Sequence, residues 1–388
     1  MENAERFLKP PFDARRLDAL MDDAGLDFVL MTSKHSVQYA FDGYKYFFYS
    51  FMDAHGLSRY LPVFVYKRGD LEAAAFIGSP MEAFEKELGS FWVANTNFEN
   101  MTSPQYASSA AGHLKRVGAE NARIGVEIGF LPADAYMALA AALPEAEIVD
   151  ATLQVELLRA VKSEKELSKL KTASEKVVDS ILSVFQSFGP GSTKREIVAA
   201  LKAEEQKRGL DFEYGLCNLG KDFNRAPSDQ VWRDGEVMCL DSGGNFGGYI
   251  GDLARMRFPG DPDGELEELL GFIEEVQQAA RKPIRDGAYG REIFEKPLEI
   301  IGGSPWSDIT EFVAHGMGII SHEPPWLTDS GPVPYPAYHA NRPLEAGMVL
   351  SIETTMWHPV RGFLKIEDTV SVNENGFEAF GDHGRGWN

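Results

Sequence analysis

The sequence has few of the features that build disulfide frameworks, membrane spans or nucleic-acid surfaces. Its 388 residues include two cysteines, Cys217 and Cys239, which are too few for a disulfide framework and do not have the spacing of a zinc motif. No apolar run approaches the ~18 residues that a membrane-spanning helix needs, and the N-terminal segment has no apolar signal core. The formal net charge of −21 argues against nucleic acid or an anionic membrane as a partner. We therefore expect a cytoplasmic protein.

The rest of the composition is that of an ordinary globular protein, and its length suggests two or three domains. Helix and strand patterns alternate at first, as in the strand-like run "DFVLMT" and two strands about a turn at Arg68-Gly69-Asp70. A long helical pattern follows, and Thr193 with Glu196 predicts a capping box at the start of the next helix. These patterns predict an α/β domain over residues 1–157 and a second domain over residues 158–388.

The stretch "DSGGNFGGYIGD" places two carboxylates, Asp241 and Asp252, at the inner ends of a predicted β-hairpin. Four glycines lie between them and would let the backbone pass close to a bound group. The plain alternative is turn chemistry, because Asp and Gly are common in turns. The other interpretation is that both carboxylates point at one cation.

Three later segments supply further side chains of the kind that bind metals. "AHGMGIISHEPP" carries His315 and His322, whereas "MVLSIETT" carries Glu353 and "FLKIEDTVSV" carries Glu367. The spacing of the two glutamates suits neighbouring antiparallel strands. The alternatives are a structural histidine and glutamates on the exposed face of a strand. Taken together, four carboxylates and an imidazole would repel one another if buried without cations, so the pattern predicts two divalent ions. Oxygen-rich ligands favour Mn²⁺, with Zn²⁺, Co²⁺ and Fe²⁺ as alternatives.

In order and spacing, these segments resemble the creatinase/aminopeptidase superfamily, the pita-bread fold of Xaa-Pro dipeptidases (prolidases), proline aminopeptidases and methionine aminopeptidases. "LLRAVKSEKELSKLKTASEKVVDSIL" looks like the start of its catalytic domain, and "SVQYAFDGY" looks like a turn in the N-terminal domain of its two-domain members. The resemblance covers nearly the whole chain. It implies a creatinase/prolidase-like N-terminal α/β domain, followed by a pita-bread catalytic domain with a curved antiparallel sheet covered by helices, in an α/β (α+β) fold.

The resemblance also implies roles for individual side chains. Five residues match metal ligands: Asp241, Asp252, His315, Glu353 and Glu367. Asp252 and Glu367 would bridge two ions, and Glu353 would also take or pass a proton. His322 matches a histidine that contacts the substrate carbonyl or the tetrahedral intermediate. The implied reaction is cleavage of an amide bond in a small peptide by a hydroxide that bridges the two ions.

Three positions depart from the prolidase pattern while sparing every ligand. Asn224 stands where peptidase members usually have a substrate-contacting histidine, and Lys365 stands where they usually have arginine. Asparagine cannot carry a positive charge, and lysine lacks the planar fork of arginine. Thr354-Thr355 replaces the usual Pro-Gly after Glu353. These changes are expected if the metal chemistry is kept and the substrate differs.

We therefore predict a metal-dependent hydrolase of the Xaa-Pro dipeptidase or aminopeptidase type, which the resemblance implies is a homodimer. Trp326, Asn224 and Lys365 are the candidate substrate-binding residues. The first alternative is a non-peptidase member that acts on a small zwitterion, such as a creatinase-like C–N hydrolase, an ectoine-type hydrolase or a dimethylsulfoniopropionate-type lyase. The second is a catalytically idle binding protein, which the intact ligand pattern argues against.

Overall fold

A computed structural model describes residues 9–54, 56–329 and 335–388. The chain divides into two compact units, Met1–Arg159 and Ala160–Asn388. Each unit has its own sheet, which is why each can bury a separate core. Among the described residues, no helix combines the length and the apolar character that crossing a membrane requires.

The first unit is built around a mixed sheet of six strands in its described residues, in the order β4-β3-β2-β1-β5-β6. The strands β1–β6 are Phe28–Met31, Val63–Lys67, Asp70–Ile77, Asn95–Asn97, Arg123–Val126 and Glu147–Asp150. The helices α1–α6 are Ala14–Asp23, Lys34–Ala40, Ala83–Glu87, Ser103–Arg116, Ala133–Ala142 and Thr152–Ala160. The predicted strand "DFVLMT" and the hairpin at Arg68-Gly69 are confirmed.

The second unit contains a mainly antiparallel sheet of seven strands in its described residues, in the order β10-β11-β12-β9-β8-β7, with β13 also paired to β12. The strands β7–β13 are Asp211–Leu219, Met238–Phe246, Tyr249–Arg257, Thr310–Gly316, Val349–His358, Gly362–Asn373 and Gly376–Phe380. The helices α7–α10 are Glu164–Ser187, Lys194–Lys207, Gly264–Arg281 and Glu292–Gly302. The capping box of Thr193 and Glu196 at the start of α8 is confirmed.

Helices cover one face of this second sheet, because alternate residues of its central strands are apolar. Leu240 of β8 and Leu253 of β9 belong to a buried apolar cluster with residues of α7 and α8. Ile352 of β11 and Ile366 of β12 belong to another, with residues of α9 and α10. Successive side chains of a strand point to opposite faces, so the neighbouring polar residues lie on the other face.

Candidate metal centre

The glycine-rich stretch forms the predicted hairpin between β8 and β9. Gly247 and Gly248 make its turn with φ values of 58° and 98°, a left-handed pair that the right-handed twist of the strands favours. Asp241 pairs with Ala254, and Asp252 pairs with Gly243. Because cross-strand partners share a face, both aspartates lie on the same side of the hairpin.

The two glutamates lie directly opposite each other on β11 and β12, as their spacing predicts. Glu367 also pairs with Ala254 of β9, which places it on the same face as the two aspartates. His315 of β10 pairs with Ser351, two residues before Glu353, so its imidazole shares that face as well. The register thus brings the five predicted ligands together from five strands, β8 to β12.

The donor atoms of these residues form two overlapping groups, each with its atoms within 4.8 Å of one another. One group comprises Asp241, Asp252 and Glu367, and the other comprises His315, Glu353 and Glu367. A further group joins Asp252 and His315 to His322. Carboxylate oxygens with one or two imidazoles suit divalent transition metals, so the donor chemistry fits such an ion.

Two buried donor atoms support that fit because they lack hydrogen bonds within the described chain. Nε2 of His315 has no hydrogen-bond partner, and it lies 3.6 Å from the nearest oxygen of Glu353. Oε2 of Glu367 also makes no hydrogen bond in the described chain, although it lies 2.8 Å from the Lys365 ammonium. An unsatisfied buried polar atom costs about 1–3 kcal/mol, and a bound cation would remove that cost.

Lys365 projects from β12 into the middle of the carboxylates. Its Nζ lies 2.7 Å from Oδ2 of Asp241, 2.5 Å from Oε2 of Glu353 and 2.8 Å from Oε2 of Glu367. Burial alone would lower the pKa of Lys365, but the three carboxylates outweigh burial and raise that pKa well above its ordinary value. The side chain is therefore a buried ammonium ion.

Arg225 supplies a second positive charge. Its Nη2 lies 2.5 Å from Oδ2 of Asp241, the oxygen that also accepts from Lys365, and its guanidinium covers the ring of Phe363 at 5.2 Å. Burial would raise the pKa of Asp241, but Lys365 and Arg225 outweigh burial and lower that pKa below its ordinary value.

The other two carboxylates of the hairpin and β12 behave differently. Burial and the neighbouring charge of Asp241 raise the pKa of Asp252 to about 8. Burial and the charge of Asp252 raise the pKa of Glu367 well above its ordinary range. The cluster thus has more carboxyl groups than Lys365 and Arg225 can neutralise, and the two in excess, Asp252 and Glu367, hold their protons more tightly than ordinary carboxyl groups do.

A cavity of about 510 Å³ opens onto these groups. Its walls include an aromatic corner of Phe223, Trp357 and Phe363, with the rings of Phe223 and Trp357 5.5 Å apart. His322 lies at the solvent-accessible side, with its ring stacked on His315 at 3.7 Å. Burial, followed by the nearby His315, lowers the pKa of His322 to about 4, so its imidazole is neutral near pH 7.

The predicted substrate-binding residues occupy different places. Lys365 lines the cavity between the ligands. Asn224 is exposed, its side-chain oxygen accepts from the amide of Ala226, and it is not among the residues that line this cavity. Trp326 is buried and stacks on Tyr335 at 4.3 Å, behind the wall that Tyr335 forms. Of Thr354 and Thr355, the second lines the cavity.

Several residues that line the cavity were not singled out from the sequence, and among them are Tyr214, Arg225 and Tyr335. Tyr214 is hydrogen-bonded to Asp252, and it reaches that carboxylate over Gly243, where an added Cβ would lie 2.3 Å from the tyrosine ring. The hydroxyl of Tyr335 lies 2.5 Å from Nδ1 of His322. A signal existed for Tyr214 alone, since β-sheet pairing of β7 with β8 sets it opposite a glycine.

Comparison with known proteins gives two family matches. Residues 168–374 match Metallopeptidase family M24, and residues 14–161 match the Creatinase/Prolidase N-terminal domain. An uncharacterized peptidase, YqhT of Bacillus subtilis, is 25% identical over 260 residues, which cover 66% of this chain and 71% of that protein. The probable dipeptidase PepE of Mycobacterium tuberculosis is 27% identical over 252 residues, which cover 63% of this chain and 64% of that protein.

The fold has close counterparts among solved structures. The Xaa-Pro dipeptidase from Bacillus anthracis superposes with a TM-score of 0.79 at 22% identity, covering 95% of this chain and 97% of that one. At this identity the likeness concerns the fold. It extends over both units of the chain, in agreement with the two family matches.

Proposed function

The chain belongs to metallopeptidase family M24, and we propose that within it this protein is a divalent-metal-dependent hydrolase that cleaves the amide bond of a small peptide. The predicted family and fold class are confirmed by the two domain matches and the structural neighbours. The single observation that supports the activity most strongly is the surplus of buried carboxylate around an unpaired imidazole nitrogen in the described site.

The candidate metal donors are Asp241, Asp252, His315, Glu353 and Glu367, and Mn²⁺ is the ion we propose because most of them offer oxygen. A bound divalent ion polarises a carbonyl and lowers the pKa of a bound water toward neutrality. The number of ions depends on Lys365, because its ammonium lies among oxygens of both ligand groups.

The imidazole of His322 is placed to donate a hydrogen bond to the reacting carbonyl oxygen. If the Tyr335 hydroxyl donates its hydrogen bond to Nδ1, the neutral imidazole carries its own proton on Nε2. A donor aimed at the developing oxyanion stabilises the transition state. Glu353, partly accessible from the cavity, is the side chain we assign to accept a proton during attack.

The cavity size and its aromatic corner support a small substrate with an apolar or ring-shaped side chain. The similarity to an Xaa-Pro dipeptidase and to a probable dipeptidase supports a dipeptide as the substrate. We extend the proposal to a homodimer, which light scattering on the purified protein would test.

A small non-peptide zwitterion is the second candidate, and one observation favours it. Asn224 stands at the position where related peptidases usually have a substrate-contacting histidine. The side chain of Asn224 does not line the cavity, whereas that of Arg225 does. A guanidinium such as that of Arg225 can bind the carboxylate of a small molecule whether or not that molecule contains a peptide bond.

A substrate panel separates these candidates. Mn²⁺-loaded protein is assayed on Xaa-Pro, Xaa-Ala and Pro-Xaa dipeptides and on zwitterionic amides and amidines, with the Glu367→Gln variant as the inactive control. We expect cleavage of a dipeptide class that the control does not cleave. Metal-loaded protein that cleaves only the non-peptide compounds would replace the first proposal by the second, and no turnover of any compound would contradict both.

A further inference from the structure

We propose that the ammonium of Lys365 takes the place of one of the two expected cations, so that the centre binds a single divalent ion through Asp252, His315 and Glu367. The inference rests on the proposed function only in requiring that the centre binds a divalent ion at all. It concerns how many ions bind and where they bind.

The ammonium of Lys365 lies among carboxylate oxygens of both ligand groups. Its Nζ approaches one oxygen of Asp241, one of Glu353 and one of Glu367, at 2.5–2.8 Å. These oxygens come from both ligand groups, so a cation already lies between them. Lys365 is 4% exposed and belongs to the middle of β12, paired with Thr355, so its ammonium cannot turn toward solvent without leaving buried carboxylates.

The carboxylate of Asp241 is already paired with two cationic side chains. Its Oδ2 accepts from Lys365 at 2.7 Å and lies 2.5 Å from Nη2 of Arg225. Two cationic side chains thus neutralise the carboxylate that a separate ion would need. A divalent ion beside them would face like charges at short range, which is unfavourable in a buried site.

These contacts leave Asp252, His315 and Glu367 without a full partner. In the described chain, Asp252 has no ion pair with Lys365 or Arg225, and Nε2 of His315 has no hydrogen-bond partner. Glu367 accepts from Ser351 through Oε1 at 2.8 Å, and its Oε2 lies 2.8 Å from the Lys365 ammonium, a single positive charge that Asp241 and Glu353 share. Each two of these three side chains occur together in one group of candidate donors, and they are the ones that still need a cation.

Charge agrees with this division. Four carboxylates, those of Asp241, Asp252, Glu353 and Glu367, meet two cationic side chains, Lys365 and Arg225. The remaining negative charge equals that of one divalent ion, with both histidines neutral. A second divalent ion would make the cluster positive while it stays buried, which is costly.

The test counts metal ions directly on the full-length protein. The chain is stripped with chelator, reloaded with excess Mn²⁺ and desalted, and the Mn²⁺ per chain is measured by elemental analysis and by titration calorimetry. We expect about one ion per chain, against about two for a dinuclear centre. The electron paramagnetic resonance spectrum should show the hyperfine pattern of an isolated Mn²⁺ ion and no exchange-coupled pair.

Two variants of matched charge locate the cause. Lys365→Met removes the ammonium that contacts both ligand groups and should raise the count to about two. Arg225→Met removes one positive charge from the same cavity, but in the described chain Arg225 forms its ion pair with Asp241, and the count should stay at about one. Circular dichroism and a cooperative melt establish that each variant is folded, and the wild-type count stands even if a variant is not.

The outcomes are distinct from those of the substrate panel. A coupled pair of ions in the wild-type protein overturns the inference and leaves the hydrolase proposal intact. An unchanged count in folded Lys365→Met also overturns it, because lysine would then not decide the occupancy. A wild-type chain that binds no divalent ion overturns both the inference and the proposed function.

Discussion

Two adjacent residues of β12, Glu367 and Asp368, show how differently this protein treats buried carboxylates. They point to opposite faces of the same sheet, and both are nearly inaccessible to solvent. Asp368 lies 3.2 Å from Arg255 and 3.0 Å from Arg281, and it is also paired with Arg385. Burial would raise the pKa of Asp368, but the three arginines outweigh burial and lower that pKa.

Glu367 has no arginine partner in the described chain, and its pKa is raised by burial and by Asp252. The comparison teaches that burial of a carboxylate does not by itself identify a site. A carboxylate whose charge is matched by arginines is part of the architecture, whereas carboxylates in excess of their cations require a ligand.

The largest effect is expected from removing a carboxylate that binds the proposed metal ion. Glu367→Gln removes a donor common to both ligand groups and should lower turnover by roughly 10³-fold or more, beyond the 10–100-fold that loss of an outer partner costs. Asp252→Asn should behave in the same way. Steady-state kinetics and metal analysis of the two variants check this, and normal turnover with normal metal content would refute the ligand assignment.

Removing the carboxylate of Asp368, which pairs with three arginines, should instead lower the free energy of unfolding. Asp368→Asn leaves three buried or half-buried guanidinium groups short of negative charge, and we expect the free energy of unfolding to fall by about 3–5 kcal/mol. Urea unfolding in chelator measures this without a contribution from metal. Asp382→Asn, at a more exposed partner of Arg281, is the matched control and should cost less. Equal losses in the two variants would contradict the special role of Asp368.

A third buried carboxyl group, Glu205, extends the comparison, because among the described residues no cationic side chain opposes the effect of burial on its pKa. It accepts from Ser242 behind the sheet, and burial raises its pKa to about 7. The folded state then holds its proton more tightly than the unfolded state, so stability is highest below the unfolded pKa of about 4.3 and falls as pH rises toward 7.

Replacing Glu205 by Gln should remove this pH-dependent loss. The difference in unfolding free energy between Glu205→Gln and wild type should grow by about 3 kcal/mol in favour of the variant from pH 4.5 to pH 8. Urea unfolding at a series of pH values measures it. A difference that stays constant with pH would mean that Glu205 ionises as freely in the folded protein as in the unfolded chain.

The smallest effect we predict concerns a residue that touches the reaction without being needed for charge balance. His322→Ala should keep the bound metal and lower the rate by roughly 10²-fold, as loss of an oxyanion donor does. Tyr335→Phe removes the hydroxyl beside Nδ1 and should lower the rate less. Loss of metal from His322→Ala would instead identify the histidine as a ligand.

Much of this site could be predicted from order and spacing because β-sheet register follows from them. Glu353 and Glu367 stand directly opposite each other, and Gly247-Gly248 turns the hairpin that aligns Asp241 with Asp252. The separation of Glu367 from Asp368 follows from the alternation of a strand. The presence of arginines on the Asp368 face does not follow from it, since Arg255 and Arg281 lie far from Asp368 in the chain.

The contacts of the cations could not be predicted for the same reason. Lys365 was expected as a substrate-binding residue, and nothing in its local sequence reveals that its ammonium lies among three carboxylates from three strands. Arg225 and Asn224 are neighbours in a loop, and only the three-dimensional path of that loop decides which one reaches the cavity. The roles of the ligands and of Asn224 and Trp326 stay predictions until variants are measured.

Asp252 and Glu367 are the carboxyl groups in excess of the cationic side chains and the ones we propose to bind a divalent ion, and Mn²⁺ titration of chelator-treated protein measures that binding. We expect saturable calorimetric binding and a melting temperature that rises with Mn²⁺ concentration, because an ion that binds only the folded state stabilises it. Both responses should be lost in Glu367→Gln and kept in Asp382→Asn. Wild-type protein that melts at the same temperature in chelator and in Mn²⁺, with no heat of binding, would contradict this proposal.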